Sequence, residues 1–232
     1  MGFFSSKEEL TVEGFCLNFY DNLTFNTFGG TIDAMGGFAE VVKNTIAKSD
    51  PRFADVDLQK LKDELTFLKC ELFALAWTHK FLDGKTVIAQ SVFTKHYLHE
   101  KGRDYIWEGM KPYNNMIESA TLHWLTSLGK FNLPFNYNMR KDLTALNIKA
   151  ANEMGINADE INEIIEMVNH RTFSEAAWKI QEFILKGLVY TIYEKLNIKE
   201  INKEAVLQIG YVIRGLYDGA QQSWDNKKII KK

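Results

Sequence analysis

The sequence predicts an all-α fold, a multi-helix bundle of about eight helices in a single domain spanning 1–232. Three observations carry this expectation. Apolar residues recur three and four positions apart along much of the chain, the spacing of a helix face. Prolines occur only at Pro51, Pro112 and Pro134, so long helices run uninterrupted between them. The period-two alternation of a strand is nearly absent. With 232 residues, 46% of them hydrophobic and 25% charged, the chain can bury a sizeable core without disulfides or metals.

In order along the chain, an amphipathic helix is readable from about Lys7 to Leu23. A Gly-rich connector near 25–38 follows, because Gly29, Gly30, Gly36 and Gly37 break any regular pattern. Paired glycines can cradle phosphate, but the spacing matches neither phosphate-loop fingerprint and no lysine stands where one is required. Helices are then expected over Asp57 to Leu82, Lys85 to Met110, Pro112 to Leu128, Met139 to Met154, Ala158 to Asn169, Phe173 to Leu196 and Lys203 to Trp224. Pro112 suits a first helical position, and Gly129 and Gly155 suit the residue just past a helix end. Asn157 with Glu160, and Thr172 with Glu175, have the spacing of capping boxes. The basic tail 227–232, with Lys227, Lys228, Lys231 and Lys232, reads as a solvated, frayed end.

Charge and cysteine usage narrow the function classes. The 28 basic and 30 acidic residues leave a net charge of -2, which gives no broad attraction to nucleic acid or anionic lipid. Cys16 and Cys70 both sit in helical apolar patterns and read as buried free thiols. No run approaches the ~20 apolar residues of a membrane span, and the start MGFFSSKEEL lacks a secretory pattern, so a cytoplasmic protein is expected. Met1, Gly2 and Ser6 match the N-myristoylation pattern, which is short enough to recur by chance.

Chemistry-bearing residues are few. His79 has Leu75, Ala76 and Leu82 at helical neighbour positions, and His123 has Ser119, Ala120 and Ser127. Glu71 is flanked by Phe67, Leu68, Ala74 and Leu75, while Glu118 shares a face with Leu122 and Leu125. Glu71, His79, Glu118 and His123 form the candidate metal set, converging on a polar pocket in the bundle. Bundles that hold paired iron or manganese repeat a Glu-x-x-His spacing, and this chain has none. Its nearest analogues are Glu118 with His123, five apart, and His96 with Glu100, one turn apart. The competing reading of each histidine is a hydrogen-bonded core residue. No Gly-x-Ser-x-Gly elbow occurs, and neither cysteine has a histidine close in sequence. The sequence therefore names no catalytic residue and no particular cofactor.

Residues 148–167, IKAANEMGINADEINEIIEM, have the outline of a helix-turn-helix. The second helix carries Asp159, Glu160, Glu163 and Glu166 and neither Lys nor Arg, so a phosphate backbone would repel it. A packed helical hairpin is expected there, with nucleic acid disfavoured as a partner. Leu58, Leu61, Leu65, Leu68, Leu72 and Leu75, continued by His79 and Leu82, trace a heptad seam with Glu64 and Lys69 placed for pairing in a parallel homodimer. The same spacing serves an intrachain core, which is the favoured reading. These features together point to a noncatalytic binding or regulatory module acting through protein or small-ligand contacts. The alternative is a metal- or cofactor-binding bundle enzyme using core carboxylates and histidines.

Overall fold

The computed structural model describes residues 9–24, 31–81, 87–128, 173–225 and 227–230, without the side chains of 24, 31–35, 79–80, 87–89, 120–128 and 173–183. Seven α-helices are described, against about eight expected. They are α1 (Val12–Thr24), α2 (Thr31–Ile46), α3 (Leu58–Phe81), α4 (Val87–Glu100), α5 (Asp104–Leu128), α6 (Phe173–Lys195) and α7 (Lys203–Gln222). The expected helices over 139–154 and 158–169, and with them the helix-turn-helix outline, lie outside the described residues.

Four expectations are corrected. The second half of the Gly-rich connector is helical, because Gly36 and Gly37 fall inside α2, where neither meets steric demand from a neighbour. The helix expected over 85–110 is interrupted, and the one expected to begin at Pro112 begins at Asp104 and runs through that proline. The interruption follows from Gly102, whose φ of 68° lets the backbone turn left-handed after α4. The Gly102 N–H donates to the His99 carbonyl and the Arg103 N–H to the Leu98 carbonyl, which closes a Schellman motif. Finally, part of the basic tail is ordered: β2 (Lys228–Ile230) pairs in parallel with β1 (Glu9–Thr11). In register, Glu9 faces Lys228, Leu10 faces Ile229 and Thr11 faces Ile230, with an ion pair between Lys228 and Glu9.

The chain divides into two compact units, 1–111 with 195–232, and 112–194. In the first, α3 is the central element, packed against α1, α2, α4 and α7. Its residues from Leu65 to Thr78 are buried around the whole helix except Lys69. The leucine seam is thus consumed within the chain. Leu61 is 1% exposed, and Leu65, Leu68, Leu72 and Leu75 are buried as well. Only Leu58, among the described seam residues, reaches solvent. A short 3-10 turn over Pro51–Asp55 joins α2 to α3, capped by buried Asp50, which accepts from the Arg52 N–H and holds its guanidinium. Asn202 caps α7 by accepting from the Glu204 and Ala205 N–H groups, and its amide donates to the Ser49 carbonyl at 2.7 Å. Arg103 grips Asp21 through two bonds of 2.9 Å, fixing α1 to the turn between α4 and α5.

In the second unit, Gly187 of α6 lies against Met116 of α5, so closely that a Cβ would stand 2.1 Å from the sulfur. The Thr191 hydroxyl donates back to the Gly187 carbonyl within α6. No described helix is long and apolar enough to cross a membrane.

Candidate functional site

Five buried polar side chains of the first unit come from three helices. Glu71 and Thr78 lie two turns apart on α3, Gln90 and Thr94 one turn apart on α4, and Tyr20 on α1; all five are at most 1% exposed. The Gln90 amide donates to Glu71 Oε1 in a close contact. The Tyr20 hydroxyl meets Thr94. Among the described residues no group meets the Gln90 carbonyl oxygen or the Thr78 hydroxyl. Burying such groups costs free energy that an apolar core would avoid, which marks these side chains as a specific feature of the interior.

A second specialised region adjoins it on α3. Phe15 and Phe19 of α1 stack on Trp77 and Phe73, at ring-centroid distances of 5.0 and 3.6 Å. Phe81 lies 4.1 Å from Trp77, and Trp224 meets Trp77 edge-on at 5.4 Å. Aromatic pairs in these orientations add stability beyond area burial. The Trp77 N–H is buried there with no acceptor among the described residues.

Two thiols and one phenol of this interior are held in their protonated forms. Burial, then neighbouring Glu13, pushes the Cys16 thiol far above its ordinary range. Burial dominates again at Cys70, with Lys69 opposing and Glu71 adding to the upward shift. The Tyr20 phenol is driven up by burial and by Cys16, Cys70 and Glu71, against the Thr94 contact. A thiol so placed is a poor nucleophile, because the thiolate is the reactive form.

Of the expected metal set, Glu71 is buried in the first unit and Glu118 is half-buried in the other. The side chains of His79 and His123 lie outside the described residues. Among the described residues no three His, Cys, Asp or Glu side chains group as metal ligands. His96 and Glu100 are 3.5 Å apart, but on an exposed face of α4, and His99 pairs with exposed Asp104 at 2.7 Å. Sequence reasoning missed Gln90, Thr94 and Tyr20. The available signal was the one-turn spacing of Gln90 and Thr94, but apolar residues surround α4 on all sides and hide which face is inward. The structure buries both and leaves Val92 66% exposed.

Among the described residues a stripe of exposed side chains runs along α7. Leu207, Tyr211, Arg214 and Asp218 follow one another at helical spacing along the solvent face of α7, opposite buried Ala205, Ile209, Ile213, Leu216 and Ala220. Leu207 is 69% and Tyr211 75% exposed. Comparison with protein families, curated proteins and solved structures finds nothing that matches the chain.

Proposed function

We propose that the protein is a noncatalytic binding module whose contact surface is the outer face of α7. The observation that carries this reading is the exposure of Leu207 and Tyr211, one turn apart on a helix whose other face already fills the core. A large aromatic beside an aliphatic, followed by the Arg214–Asp218 pair, has the make-up of an apolar contact with a polar margin. The described interior supports the same reading, since its thiols and phenol are buried and protonated. Two free buried cysteines agree with action in the cytoplasm. The acidic residues Asp159, Glu160, Glu163 and Glu166, with neither Lys nor Arg among 157–168, speak against nucleic acid as the partner.

The test is the doubly substituted Leu207→Ser, Tyr211→Ser protein, expressed in its native cells beside wild type and cross-linked in place. The reading expects the wild-type cross-links to be lost while circular dichroism stays unchanged. Cross-links identical in the two proteins would overturn it.

The second reading, a metal- or cofactor-binding bundle using Glu71, His79, Glu118 and His123, is favoured by one observation: the complete burial of Glu71 beside Gln90. Its test is elemental analysis and a visible absorption scan of protein purified without chelator. Neither metal nor chromophore, even after reconstitution, would end it. For a homodimer through the leucine seam, Leu58 is the exposed residue among the described seam positions.

A further inference from the structure

The chain beyond α7 is held within the first unit by two attachments of different kinds. Trp224 is buried against the rings of Phe73, Trp77 and Phe81, at centroid distances of 6.0, 5.4 and 6.2 Å. Four residues on, β2 closes a ladder of three residue pairs with β1. A two-stranded sheet on its own is marginal in water, and parallel strands are ordinarily covered on both faces. Here Glu9, Thr11 and Lys228 are exposed, and Leu10, Ile229 and Ile230 only half-buried.

We infer that Trp224 and β2 form a detachable strap, which opens as one piece while the helices of the first unit stay folded and uncovers the aromatic floor of Phe73, Trp77 and Phe81. The ladder is short, solvated and set against α1, whereas α3 is 24 residues long and buried nearly all round from Leu65 to Thr78, so the two differ widely in the cost of opening. The Trp77 N–H sharpens this contrast. In the closed state it has no acceptor among the described residues, a cost the closed state bears alone, and lifting Trp224 admits water to it. Opposing this, the buried Trp224 ring makes closure specific and keeps the closed state dominant. The Lys228–Glu9 ion pair sits at the exposed edge and sets the balance between the two states.

Native-state hydrogen exchange on the full chain tests the strap. The β1 and β2 amides are expected to exchange through an opening at least about 100-fold more frequent than the one that frees Leu68 and Cys70 of α3. Glu9→Lys and Lys228→Glu should each raise the ladder opening about threefold, the size expected of an exposed pair, with α3 exchange unchanged. Combining the two reverses the pair and should restore the wild-type rate. Ladder amides that exchange only together with α3 would overturn the inference, as would failure of the double reversal to restore closure. Unprotected ladder amides with Trp224 as accessible to acrylamide quenching as a free indole would also overturn it, because no closed strap would then exist.

Discussion

Gln90 shows how one side chain can set the character of an interior. It is fully buried on α4 and donates to Glu71, while Val92, two residues on, faces water. Gln90→Leu keeps the volume and deletes the donor to a buried carboxylate. It is expected to lower stability by about 1–3 kcal/mol in urea denaturation, whereas Val92→Ala should stay within about 0.5 kcal/mol. Equal effects would show that the Glu71 contact contributes nothing. At the same scale, Cys16 and Cys70 are both buried and free. In the native protein neither should react with a thiol reagent at mildly alkaline pH, and both should react after denaturation. Fast native labelling of either thiol would contradict the burial described.

At the scale of elements, close approach decides where glycine is needed. A Cβ at Gly109 of α5 would stand 2.4 Å from two ring carbons of Phe67 on α3, and an aromatic ring in a packed core cannot fold away as a flexible chain end can. Gly109→Ala should therefore destabilise by about 1–3 kcal/mol despite alanine's better helix propensity, as read from the urea midpoint. A neutral or stabilising result would show that α3 and α5 are less tightly apposed. The leucine seam allows a second prediction. Leu61→Glu places a carboxylate at a site 1% exposed, so it should cost about 3–5 kcal/mol and appear as lost helical signal in circular dichroism. A folded variant of halved mass would instead place Leu61 at a subunit contact.

Summed over the first unit, the raised thiol and phenol pKa values become a property of the whole fold. Folding raises Cys16 and Cys70 above their ordinary 9.0, so as pH climbs past that value the unfolded chain releases protons that the folded chain keeps. Their contribution is fully present below 9.0 and is lost above it, at about 1.4 kcal/mol per pH unit for each thiol. Tyr20, also shifted upward, adds to the loss above 10.0. The urea midpoint should show no loss from these groups between neutral pH and about 9, then fall steeply. A midpoint that holds through that alkaline range would mean these groups titrate normally in the folded protein.

Local chemistry alone determined the helical class, the position of most helices and the all-round burial of the second half of α3, because periodicity and helix propensity act within a few turns of chain. Burial of Glu71 was legible for the same reason, since apolar neighbours surround it on its own helix. Other features turned on contacts far apart in sequence. Pro112 carries a local signal to start a helix, yet the chain turns at Gly102 and α5 continues through the proline. The strand pairing of 9–11 with 228–230 joins segments of three residues each, too short to announce themselves. The inward turn of Gln90 and Thr94 depends on which side of α4 meets α1 and α3. Likewise, the leucine seam could serve a partner or the chain's own core until α1, α2, α4 and α7 were seen to cover α3. In each case the deciding free energy comes from packing between distant segments, which tertiary structure creates and a local pattern does not contain.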